Sequence, residues 1–90
     1  MDVTYDAAKR DWTLRERGLD FSDAPLLFDG VVLTLEDDRF VYPEPRYQTY
    51  GWLRERLVLL VWTPTETGLR VISMRNCHDK EARNVRPRMG

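Results

Sequence analysis

The chain has little of what covalent and metal chemistry usually require. It contains one cysteine and one histidine, Cys77 and His78, and they are neighbours. A lone cysteine cannot close an internal disulfide, which fits a reducing compartment. Two ligating side chains cannot complete a four-ligand zinc site. Adjacent helical residues do not face each other, so a Cys–His nucleophile pair is a weak reading. Cys77 reads as a small packing residue and His78 as a surface or capping residue. Glycines occur singly, in "RG", "DG", "YG" and "TG" and at the terminal Gly90, so no glycine-rich phosphate loop is present. The longest apolar run, Leu57 to Trp62, is six residues, against the roughly 20 needed to span a bilayer. The start, Met1-Asp2, has no basic segment ahead of an apolar stretch, so no secretory signal is expected. These absences point to one small cytoplasmic domain over residues 1–90, without membrane or metal, and name no activity.

What is present is charge, unevenly placed. The formal net charge is −1, yet residues 70–90 hold six Lys or Arg against Asp79 and Glu81. That tail can attract a polyanion because local potential, not the total, meets the phosphate. A solvated terminal helix explains the same charges.

The pattern reads as helices, then strands, then a helix. Val3 and Tyr5 suit a short edge strand. Asp6 can cap a helix over Ala7 to Arg17, which Gly18 ends. Along it Ala8 and Trp12 share a face by i, i+4 spacing. Phe21, Ala24, Leu27 and Phe28 suggest a second short helix opened by Ser22, with Pro25 in its first turn. "VVLTLE", "RYQTYGW", "LVLLVW" and "LRVISMR" are strand candidates, with Phe40 to Tyr42 a short extension. Pro43 and Pro45 keep the intervening piece out of a central strand. A last helix should start near Asp79 and end before Pro87. Short connections imply an antiparallel meander. The fold class expected is α+β: two N-terminal helices, a sheet of about four strands and a C-terminal helix, with helices on one sheet face.

Strict alternation in "RVISMR" puts Val71, Ser73 and Arg75 on one side, and Arg70, Ile72 and Met74 on the other. With Ile72 and Met74 in the core, Ser73 and Arg75 face outward. Arg46, Gln48 and Tyr50 share a face of their own strand. Together these groups would suit RNA, whose phosphates take Arg and whose unstacked bases take aromatics. An exposed sheet face is polar in any case, so composition alone does not decide.

Three blocks carry a resemblance. "YDAAKRDWTLRERGLDF" resembles the opening of BrnT-type toxins, where a D-P-x-K helix leads to N-x-x-K-H-G and an aromatic. "YPEPRYQTYGW" resembles the family's G-E-x-R-Y segment, and "RVISMRNCHDKEARN" its R-I-I-S-x-R-x-A segment followed by an E-R pair. The blocks occur in order over residues 5 to 84. The resemblance implies a small ribonuclease toxin of a bacterial or archaeal type II toxin–antitoxin system, with a RelE-like fold. It implies a cognate BrnA-type antitoxin as partner, a toxin–antitoxin heterotetramer as one expected assembly, and contact with DNA only through the antitoxin. Asp6, Lys9, Gly18, Phe21, Glu44, Arg46, Tyr47, Ile72, Ser73, Arg75 and Glu81 match the family pattern. Thr13, Glu16 and Arg17 stand where the family has Asn, Lys and His, and Pro43, Cys77 and Val85 also depart from it.

The reaction so implied is metal-independent and needs no cofactor. The RNA 2′-hydroxyl attacks the adjacent phosphorus, with a base, a leaving-group acid and cations on the developing charge. The expected catalytic residues are Glu44, Arg46, Arg75 and Glu81. Arg46 and Arg75 clamp phosphate, and either glutamate serves as base. Lys9, Arg17, Ser73 and Tyr47 are the expected substrate-binding residues. The rival reading is a degenerate module that binds an antitoxin partner or RNA without cleavage. It rests on Glu16 and on Arg17, since arginine holds charge but is a poor base.

Overall fold

The computed structural model describes residues 1–90. Its elements run β1 (Asp2–Thr4), α1 (Ala7–Arg17), a 3₁₀ turn (Phe21–Asp23), α2 (Ala24–Leu27), β2 (Val32–Glu36), β3 (Tyr47–Leu53), β4 (Arg56–Pro64), β5 (Gly68–Asn76) and α3 (Asp79–Met89). No helix is long and apolar enough to cross a membrane.

Local chemistry sets the helix ends. The Asp6 carboxylate accepts from the Ala8 and Lys9 amides at 2.9 and 3.2 Å, which satisfies donors that the first turn leaves free. Gly18 stops α1 in the left-handed region, at φ 68°, and its N–H donates to Leu14 O. The turn that follows is opened by Asp20 rather than Ser22. The Asp20 carboxylate accepts from the Ser22 amide and hydroxyl and is gripped by Arg10 at 3.0 and 2.8 Å. Phe40 to Tyr42 form no strand. Helix α3 passes through Pro87 and ends at Met89. Proline there removes only one late hydrogen bond, and the extra turn lets Met89 pack on the cluster around Leu57 and Val85.

The sheet has five strands in the order β1-β5-β4-β3-β2. Strands β2 to β5 form the expected meander, but β1 joins β5 in parallel, so the sheet is mixed. The tight β1 pairing needs Gly68, because a methyl there would overlap the Asp2 backbone.

Helices cover both faces, not one. Leu19, Phe21, Ala24, Leu27, Val58, Leu60, Leu69, Val71 and Met74 belong to the main core, beneath α1 and α2. On the reverse face, Leu57, Ala82 and Val85 form a second cluster, flanked by Leu33, Tyr50 and Met89. Strand β4 dictates this: Leu57, Val58, Leu59, Leu60 and Val61 are all buried. Each buried aliphatic side chain is worth about 1.5–3 kcal/mol over leaving it in water. An unbroken apolar strand therefore needs cover on both sides.

A bulge interrupts β5. Val61 opposes Ser73 while Trp62 opposes Val71, so Ile72 is the inserted residue. Leu69, Val71 and Met74 consequently all reach the main core, and Ile72 does not join it. Strict alternation fails across the bulge: Val71 lies opposite to Arg75, and Arg70 shares the Arg75 side. The outward placement of Arg75, opposite Met74, holds.

Candidate functional site

The end of β5 and the start of α3 bring together the strongest group of charges. Arg75, half-buried on the sheet face that α3 only partly covers, donates from both terminal nitrogens to Glu81, at 2.7 and 2.8 Å. This fork geometry is the one arginine also uses for phosphate. Glu81 sits in the first turn of α3, accepts from the His78 backbone N–H at 3.3 Å, and lies 3.4 Å from the Tyr50 hydroxyl. Tyr50 arrives from β3 because it opposes Leu59, which in turn opposes Arg75.

The electrostatics follow from these contacts. The Arg75 hydrogen bonds outweigh partial burial and hold the Glu81 carboxyl down at about 2. Glu81 in turn raises Arg75 above its ordinary range. Burial raises the Tyr50 hydroxyl, and the Glu81 charge adds to that, so Tyr50 keeps its proton. Burial pushes the Cys77 thiol up to about 12, with Glu81 adding. A thiol held protonated is a poor nucleophile. His78 has an exposed side chain and touches the group through its backbone.

A second feature lies beside it, along the outer edge of β5. Strand β1 pairs only as far as Thr4 with Arg70, and beyond that point α1 takes the edge. Arg17 Nη1 donates to Met74 O at 2.7 Å, and Asn76 Nδ2 donates to Arg17 O at 3.5 Å. Between helix and strand runs a groove of about 510 Å³, lined by Lys9, Trp12, Arg17, Phe21, Ile72 and Ser73 among others. Lys9, Thr13 and Arg17 recur every four residues and so share one helical face. The face that Ala8 and Trp12 share is not the buried one. Thr13 is the buried residue of α1, and Trp12 remains 46 % exposed.

The sequence-derived residues thus divide among three places. Arg75 and Glu81 meet directly. Lys9, Arg17 and Ser73 line the groove. Glu44 and Arg46 form a separate ion pair at 3.8 Å, with Arg46 lying over the Tyr42 ring at 4.1 Å. Arg46 precedes Tyr50 by four residues, about 13 Å of extended chain at about 3.3 Å per residue. Tyr47 opposes Trp62 and stacks on it at 5.1 Å, on the side of the main core. Tyr50 as the Glu81 partner and Trp12 as a groove wall are not apparent from the sequence. The alternation of β3 puts Tyr50 outward, but only the seating of α3 brings Glu81 to it. No group of three or more His, Cys, Asp or Glu side chains is arranged to hold a metal ion.

Residues 5–81 match a family model described as ribonuclease toxin, BrnT, of type II toxin-antitoxin system. No curated protein matches the chain.

Proposed function

The chain belongs to the BrnT ribonuclease toxins of type II toxin–antitoxin systems, and on that premise we propose that it is a metal-independent endoribonuclease centred on Arg75 and Glu81. The observation that carries this reading is the two-pronged Arg75–Glu81 pair with the Tyr50 hydroxyl beside it. Arg75 binds the non-bridging oxygens of the scissile phosphate and steadies the charge that develops there. To do so it must release Glu81 at least in part. Losing those hydrogen bonds relieves the main cause of the low Glu81 pKa, so the carboxylate becomes more basic as substrate arrives. Glu81 then accepts the 2′-hydroxyl proton. The 2′-oxygen bonds to phosphorus, the bond from phosphorus to the 5′-oxygen breaks, and a proton from Tyr50 neutralises the leaving oxygen. The products are a 2′,3′-cyclic phosphate and a 5′-hydroxyl. Lys9, Arg17 and Ser73 bind RNA next to the reacting phosphate. Arg46, held by Glu44, contacts it farther along.

RNA cleavage inhibits translation in the cytoplasm, and a cognate BrnA-type antitoxin restrains it. The test is chemical. Purified chain with EDTA should cut RNA and leave cyclic-phosphate ends, and a single 2′-deoxy substitution at the cut site should block that cut. Loss of activity in EDTA, or cleavage past the 2′-deoxy position, would overturn the mechanism.

One observation favours the non-catalytic alternative. Arg17 and Arg75 both have partners within the chain, Met74 O and Glu81, so neither cation stands idle. Under that reading, expression causes no growth arrest, and purified chain binds antitoxin without cutting RNA. Under the enzymatic reading, expression arrests growth and a co-expressed antitoxin relieves it.

A further inference from the structure

We infer that the groove between α1 and the outer edge of β5 is a nucleobase site, in which the base flanking the scissile phosphate of single-stranded RNA stacks on Trp12. The inference rests on the ribonuclease reading and adds a substrate class to it. Trp12 is the groove's aromatic wall and stays 46 % exposed. An indole left open costs the fold the burial it could have had. Its orientation is nonetheless controlled, because the Arg17 guanidinium lies 4.9 Å from the ring centroid and is itself anchored on Met74 O. A fixed, half-open indole with an arginine against it is the arrangement that stacks unpaired bases.

Charge selects the occupant. The lining contributes Lys9 and Arg17 as cations, no acidic side chain, and an apolar floor of Ala8, Phe21 and Ile72 with the Ser73 hydroxyl. That combination offers apolar and aromatic surface to a base and cations to the phosphates on either side of it. Position selects the role. Ser73 in the groove and Arg75 at the pair are two residues apart on β5, about 7 Å at about 3.4 Å per residue, which is of the order of one nucleotide step. RNA with its phosphate on Arg75 therefore places a neighbouring base at the groove.

The test is binding of a short single-stranded 2′-O-methyl oligoribonucleotide, which lacks the nucleophile and is not cut. Trp12→Ala should weaken binding about tenfold or more, as loss of one stacked base does. Trp12→Phe should recover most of it. Leu26→Ala, at an exposed apolar side chain on α2 outside the groove, should bind as wild type does. Thermal melts of the three variants check that they fold. Unchanged binding by Trp12→Ala overturns the inference, as does equal loss in Trp12→Ala and Leu26→Ala. Loss of antitoxin capture by Trp12→Ala with RNA binding intact overturns it in favour of a protein partner. The two readings fail separately. Arg75-dependent cleavage with no effect at Trp12 removes the base site and keeps the ribonuclease. Trp12-dependent binding by a chain that never cuts does the reverse.

Discussion

At the scale of single residues, the proposed chemistry turns on one competition at the Arg75–Glu81 pair. Glu81 is locked as a carboxylate while Arg75 holds it, with a pKa of about 2, and a base so weak gains strength only when phosphate takes the arginine. Carboxyl NMR should therefore show Glu81 titrating near 2 in the free protein and returning towards 4.5, its ordinary value, in Arg75→Ala. An ordinary Glu81 pKa in the wild type contradicts the pairing. The sign for stability follows: a folded pKa below the unfolded one stabilises above about pH 4.5 and loses that contribution as pH falls towards 2. Arg75→Ala should accordingly flatten the acid end of the stability profile between those limits, as measured by urea unfolding. Arg75 was legible in the sequence because a strand's outward residues can be counted from its apolar ones. The partner role of Tyr50 was not, since it depends on where α3 lies.

At the scale of elements, the sheet and helix ends follow local rules, and the misreadings occur where tertiary packing overrides them. Helix α1 and its two caps are visible in Asp6 and Gly18. Replacing Asp6 with Ala should cost about 1 kcal/mol, and Gly18→Ala about as much, because a side chain disfavours the left-handed region. For a 90-residue chain each should lower the melting temperature by about 4–8 °C, read by calorimetry or circular dichroism. No change in Gly18→Ala would mean that the helix ends elsewhere. The β5 bulge was hidden because Ile72 looks like any core residue in an alternating strand. Only the register with β4, Val61 to Ser73 and Trp62 to Val71, reveals it. The bulge has a consequence for the site: it turns Ile72 away from the core and so builds the groove that Trp12 and Arg17 complete. The double cover of the sheet likewise departs from the one-face expectation, although "LVLLVW" is apolar at every position and so needs cover on both sides.

At the scale of the whole molecule, a nearly neutral chain separates its charge. On α3, whose first turn holds Glu81, Lys80, Arg83, Arg86 and Arg88 are exposed, while the acidic residues concentrate earlier in the chain. RNA affinity should therefore fall steeply with salt despite the net charge of −1. The log–log slope should become shallower by about 0.7 for each cation removed from a phosphate contact. A slope near zero in filter binding would remove the electrostatic account. The family blocks over residues 5 to 84 made the overall function legible, whereas the division of the site residues into a pair, a groove and a separate Glu44–Arg46 bridge is a matter of tertiary placement. The most direct measurement is the cleavage rate of RNA by wild-type, Arg75→Ala and Arg70→Ala proteins with EDTA present. Arg70 is exposed on the same strand, with no ion-pair partner within 4.0 Å. The account predicts a loss of about a hundredfold or more in Arg75→Ala, the scale for removing a charge-stabilising group, and a near-normal rate in Arg70→Ala. Cleavage by Arg75→Ala as fast as wild type would contradict it.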